Sequence, residues 1–119
     1  MGSILNDVKA SLGITEDYVA FDEILIPLIN TTFVSLWQLG VGKDQTKPFK
    51  IEDDSTEWSE FIDDGELESC KTYMSDQVKM LFDPPTSSIA MDALKDRTNE
   101  IEWRMVIAND FYGLSQEGG

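Results

Sequence analysis

Two acid-rich runs hold the densest chemistry in the chain: Glu52-Asp53-Asp54-Ser55-Thr56-Glu57 and Asp63-Asp64-Gly65-Glu66-Leu67-Glu68. Carboxylates at this density can chelate calcium, and a pair at the right separation can act as acid and base. The first run lacks the calcium-loop signature, because Ser55 and Trp58 stand where a carboxylate or glycine is needed. It reads as a solvated acidic loop. The second reads as negative charge placed before a helix N-terminus, where the helix dipole favours it. Nothing sets one pair of acids apart from the many surface acids. The single cysteine, Cys70, excludes an intrachain disulfide and lies on a helical apolar stripe, so it reads as a buried thiol. The chain has no histidine, which removes histidine-based zinc sites and acid–base triads. It also has no phosphate-cradling glycine loop, CxxC pair or nucleophile elbow. The residues therefore nominate no catalytic, cofactor-binding or metal-ligating set, and no enzyme is expected.

Charge narrows the partners. Nine Lys and Arg stand against 23 Asp and Glu, a net charge of −14. Such a surface repels phosphate backbones and anionic membranes. Basic partners, a solvated exterior, or a lumen that must not grip DNA remain. Met1-Gly2-Ser3 has no basic n-region of a signal peptide. The uncharged run from Ile24 to Gly42 is too polar for a membrane span, with Pro27, Asn30, Thr31, Thr32, Ser35 and Gln38 inside it, and reads as a buried helix.

At 119 residues the chain makes one domain. Ser3 can cap a short first helix carrying Ile4, Leu5, Val8 and Leu12, stopped by Gly13. A second helix runs from about Tyr18 or Asp22 to Leu39, opened by Thr15 or Asp17. Pro27 either kinks it or begins its main part after a separate turn over Tyr18–Ile26, and the kink is the preferred reading. Gly40-Val41-Gly42 ends it. A loop over Lys43–Ser55 includes Phe49-Lys50-Ile51, an alternating triplet that suits a short strand. Asp53-Asp54-Ser55 can cap a short helix with Trp58, Phe61 and Ile62. A third long helix spans about Glu66 to Leu81, its buried face marked by Leu67, Cys70, Met74, Val78 and Leu81. Asp83-Pro84-Pro85 forbids continuation. Thr86 or Ser87 caps a last long helix to about Ala108, striped by Ala90, Leu94, Ile101, Met105 and Ala108, with Arg97 or Thr98 filling the gap. Trp103 falls off that stripe and reads either as an interface anchor or as peripheral core. The expected fold is all-α: a small bundle of three main helices and one or two short ones, with a central loop. Residues 1–109 form the domain and residues 110–119 a flexible C-terminal tail.

The run Phe82-Asp83-Pro84-Pro85-Thr86-Ser87-Ser88, followed by Ala93-Leu94 and Glu100-Ile101-Glu102-Trp103-Arg104, resembles the C-terminal half of head–tail connector (adaptor) proteins of tailed bacteriophages. Ile4-Leu5-Asn6-Asp7-Val8-Lys9 with Leu12-Gly13-Ile14, Leu28-Ile29-Asn30 with Gln38-Leu39-Gly40-Val41-Gly42, and Trp58-Ser59-Glu60-Phe61 agree in order, so the likeness covers most of residues 3–107. The resemblance implies a virion structural protein of the neck, made in the bacterial host cytoplasm. It implies a homo-oligomeric ring, commonly of twelve, that docks on the portal protein, extends the DNA channel and receives a tail-stopper or neck protein. DNA passes through the lumen without specific binding, and neither catalysis, a cofactor nor a membrane is implied. Pro27 and the Lys43–Ser55 loop depart from the pattern.

Candidate interface residues are Phe49 and Ile51 in the loop, Trp103 and Arg104 on the last helix, and Phe111, Tyr112 and Leu114 in the tail. An alternative rests on charge alone: an acidic monomeric adaptor or inhibitor that mimics nucleic acid and binds a basic host protein.

Overall fold

The computed structural model describes residues 2–117, with only the backbone described for residues 64 and 108–117. Five α-helices follow one another: α1 (Ile4–Ser11), α2 (Asp22–Gln38), α3 (Trp58–Phe61), α4 (Leu67–Phe82) and α5 (Ser88–Glu117), with a 3-10 turn at Asp64–Glu66. The small all-α bundle expected from the sequence is what forms. The Ser3 hydroxyl accepts a bond from the Asn6 amide at 3.2 Å and starts α1. Gly13, at φ 78°, adopts the left-handed geometry that ends it.

Ile4, Leu5 and Val8 turn inward, and so does Lys9, which is 1% exposed. Its ammonium donates to the Glu16 carbonyl at 2.9 Å and pairs with Asp22 at 3.0 Å. That buried charge ties the connection after α1, and the first turn of α2, back onto α1. Neither Thr15 nor Asp17 caps α2. Phe21 holds the cap position without a side-chain bond, and Asp22 and Glu23 supply negative charge to the first turn.

Pro27 lies inside α2, in its second turn, so no separate turn over Tyr18–Ile26 precedes the helix. Proline has no N–H to donate to the carbonyl four residues back, but the surrounding packing holds the helix together. Leu25, Ile29, Phe33 and Leu36 are fully buried. Phe33 is the hub: its ring centroid lies 4.7 Å from Phe61, 5.0 Å from Phe49 and 6.5 Å from Trp58. All three pairs are tilted or edge-on, the geometry aromatic quadrupoles prefer. At Gly42, φ is 119° and a Cβ would stand 2.8 Å from the Phe61 ring, so this turn requires glycine.

The central loop is pinned rather than stranded. Ile51 pairs with no neighbouring strand; the Asn30 side chain accepts from its N–H at 2.8 Å and donates to its carbonyl at 3.0 Å. One amide thus replaces the ladder that Phe49-Lys50-Ile51 was expected to enter. Asp53 does not cap α3 but closes its own turn onto Ser55. Glu57 is the cap residue, and its amide donates to Glu60 at 2.8 Å.

α4 packs against α1, α2 and α5. Cys70, Met74 and Val78 are buried as the spacing predicts, and Tyr73 joins them. Leu81 does not; it is 57% exposed. In the last turn of α4 the neighbour is the Phe21 ring, and Phe82 meets it at 5.3 Å while Leu81 faces out. After the Pro84-Pro85 corner, the Ser87 hydroxyl accepts from the Ala90 amide at 3.3 Å and α5 begins. It runs to Glu117, past the expected end near Ala108. No proline follows Pro85, and Gly113 alone costs about 1 kcal/mol relative to alanine, too little to stop a long helix.

Candidate assembly interface

Two polar latches fix α5 on α4. Arg97 donates to the Asp76 carboxylate through Nε at 2.8 Å and through a terminal nitrogen at 2.6 Å. Asp76 is nearly buried, and its two hydrogen bonds raise the Arg97 pKa and hold the guanidinium charged. One turn further along the seam, the Tyr73 hydroxyl donates to Glu102 at 2.8 Å and accepts from Gln77 at 3.0 Å. Burial pushes the Tyr73 phenol up to about 12; the Gln77 bond opposes this and the Glu102 carboxylate adds to it. Between the latches Thr98 is buried and Ile101 half-buried, and Leu94 and Met105 are buried on either side of them. Thr98, not Arg97, fills the gap in the stripe, and Ala90 lies outside it, exposed.

The latches run antiparallel, and their register sets Leu67, the first residue of α4, near Ile107 of α5. Residues 108–117 therefore outrun α4. At 1.5 Å per residue α5 is about 45 Å long, close to the 49 Å longest dimension of the molecule.

The face of α5 turned away from α4 carries Ile89, Trp103 and Ile107, which are 81%, 65% and 46% exposed. Ile89 and Ile107 are five turns apart and share one line along the helix, about 40° from Trp103. Trp103 thus lies off the core face, as its position in the stripe predicts. Arg104 is exposed beside it and pairs with Glu100 at 2.5 Å, one turn back. Phe49 and Ile51 lie elsewhere and face inward. Ile51 is 2% exposed, and the partly buried Phe49 packs on Phe33 and Phe61. The structure therefore does not bring the loop candidates to the α5 face. The Phe111, Tyr112 and Leu114 side chains lie outside the described residues.

A second apolar patch escaped the sequence reading. Tyr18 and Val19, before α2, are exposed at one end of the bundle, and the Tyr18 ring meets, at a tilt, that of Phe21, which in turn meets Phe82. Leu81 is exposed beside Phe82. The signal was present: Tyr18 and Val19 are apolar residues in a connection, outside any helical period. Among the described residues, no three Cys, Asp or Glu side chains converge in a way that could hold a metal ion.

A family model for phage connector protein matches residues 4–111. The chain belongs to this family. No curated protein and no solved structure matches it. The match begins with α1 and extends into the part of α5 that outruns α4. Membership gives this connector a structural role in a phage particle. Connectors are in general structural rather than catalytic proteins, and their partners in general belong to the portal and neck assembly. Among the connector's described residues, no helix is long and apolar enough to cross a membrane.

Proposed function

We propose that the protein is one subunit of a head–tail connector ring that docks on the portal and carries the DNA channel toward the tail. The observation that carries this reading is the family match across residues 4–111. The outer face of α5, with a tryptophan 65% exposed, supports a protein-facing surface, since exposed aromatics anchor interfaces. The ring, commonly of twelve copies, would receive a tail-stopper or neck protein on its far side. The subunit is made in the host cytoplasm, performs no catalysis and joins the virion at the neck. Its net charge of −14 suits a wall along which DNA slides without sticking.

Residues 110–119, with Phe111, Tyr112 and Leu114, would act as a partner-binding tail. The test mixes the purified chain with the portal protein of its own phage and images the product by electron microscopy. A ring seated on the portal is expected, and deletion of residues 110–119 should weaken it. A chain that ignores the portal yet captures a basic DNA-binding protein as a monomer would replace this reading with nucleic-acid mimicry.

A further inference from the structure

In so acidic a chain, three of the nine basic side chains gather in one groove. Lys71 and Lys79 of α4 and Arg97 of α5 line a hollow of about 370 Å³, with the carboxylate Asp76 and the hydroxyl residues Ser11, Thr72 and Ser75. Each cation has an internal partner, but the partners differ in strength. Arg97 is locked by two bonds to the nearly buried Asp76. A guanidinium has five N–H donors, so its remaining donors are still available. Lys71 and Lys79 lean on Asp7 and Asp83 at 3.6 Å and 4.0 Å, with all four side chains between about one-third and three-quarters exposed. Pairs of this kind contribute little and exchange easily. The groove is thus a fixed arginine flanked by two lysines free to turn to a new carboxylate.

The complementary surface lies at the other end of α1. Ser3, which caps α1, bridges to Glu57, and the Ile4 amide donates to the Thr56 carbonyl at 3.0 Å. These bonds place the acidic loop Glu52–Glu57 at the N-terminal end of α1, whereas the groove runs from Lys71, paired with Asp7 in the first turn of α1, to Ser11, its last residue. The two ends of an eight-residue helix are about 12 Å apart. In the acidic loop, Asp53 bonds Ser55, while Glu52 and Asp54 are exposed and make no ion pair among the described residues.

We infer that the Lys71–Lys79–Arg97 groove receives the Glu52–Asp54 loop of a second copy of this chain. The two surfaces are different patches, so the contact is heterologous. A head-to-tail contact of that kind repeats from copy to copy and closes into a ring when its rotation allows. The ring itself rests on the reading given under Proposed function; the groove and its occupant do not follow from that reading.

The test mixes ordinary and ¹⁵N-labelled chains at millimolar concentration and treats them with a carbodiimide, which joins touching ammonium and carboxylate groups. Mixed-isotope links from Lys71 or Lys79 to Glu52 or Asp54 are expected. Lys79→Glu and Asp54→Lys should each cut self-association roughly tenfold or more by setting like charges together. The two reversals on one chain should restore it. Circular dichroism checks that each variant keeps its helices. Asp54 is exposed and the Lys79 side chain 42% exposed, and Arg97 is left alone because Asp76 depends on it.

Mixed links elsewhere, reversals without effect, or a double reversal that fails to rescue would overturn the inference. So would a chain that stays monomeric and unlinked. If it still forms a ring on the portal, the ring reading survives and only the groove assignment falls. If a short DNA duplex shields Lys71 and Lys79 from acetylation while no copy does, the groove belongs to phosphate instead.

Discussion

The two longest helices are built on opposite plans. α2 has 17 residues and buries Leu25, Ile29, Thr32, Phe33 and Leu36. α5 has 30 and, among its described side chains, buries only Leu94, Thr98 and Met105. α2 carries no charge after Glu23 and is packed against α1, α4 and the pinned central loop. α5 lies chiefly on α4 and is held there by the Arg97–Asp76 and Tyr73–Glu102 latches as well as by apolar contact. The comparison separates two tasks. α2 makes the fold, and α5 is fastened to it in a way that leaves an apolar outer line free.

The sharpest way to break the comparison is through Phe33. Phe33→Ala removes the ring that Phe49, Phe61 and Trp58 surround, and should destabilise the protein by about 3–5 kcal/mol. Against a typical domain stability of about 5–15 kcal/mol, that is a large share. Urea unfolding followed by circular dichroism should show a much lower midpoint. No single truncation on α5 is expected to match it, and one that did would remove the contrast.

The next effect lies in the latch. Arg97→Leu leaves the nearly buried Asp76 without its two charged donors. Hydrogen bonds to charged groups contribute roughly 1.5–3 kcal/mol, and Arg97 is itself more than half exposed, so a loss of about 2 kcal/mol is expected. Replacing Asp76 and Arg97 together by leucine should cost less than Arg97→Leu alone, because no stranded carboxylate remains. A double variant worse than the single would show that α5 docks by packing and not by its latches.

These latches also mark the limits of what the sequence discloses. Period and punctuation made the helices legible: Ser3 and Gly13 bound α1, Cys70, Met74 and Val78 set the inner face of α4, and Pro84-Pro85 sets the corner. Charged residues that go inward were not legible. Lys9 and Asp76 read as surface by type, and only the three-dimensional neighbours Glu16, Asp22 and Arg97 make their burial affordable. The same gap misdirected the loop candidates. Phe49 and Ile51 looked available in a loop, yet Asn30 and Phe33, more than a dozen residues back, hold them in. Trp103 was legible because its angle on a single helix was enough to turn it out.

A smaller, graded effect comes from alkali. The Tyr73 phenol ionises near 10 in the unfolded chain and near 12 in the folded one. A pKa raised by folding gives stability that is present below the unfolded value and lost as pH climbs through the folded one. Stability should therefore fall between pH 10 and 12 by at most about 1.4 kcal/mol for each pH unit from this group. Burial, with the Glu66 carboxylate adding to it, likewise pushes the Cys70 thiol from 9.0 up to about 12, so the two losses overlap. Tyr73→Phe should flatten the profile above pH 10. An unchanged slope would mean that the phenol is not enclosed by the α4–α5 seam.

The smallest effect on stability is the most telling one. Trp103 is 65% exposed and Ile107 46%, so Trp103→Ala and Ile107→Ala should each shift the unfolding free energy by no more than about 0.5 kcal/mol. Under the proposed role their effect is expected in assembly, where a buried aromatic anchor contributes 2 kcal/mol or more, roughly thirtyfold in affinity. Stability and portal co-assembly measured on the same variants place them on two axes. Phe33→Ala should fall on the stability axis and Trp103→Ala on the assembly axis. If Trp103→Ala instead lowered the urea midpoint and spared assembly, the outer line of α5 would be part of the fold, and the division between the two helices would be lost.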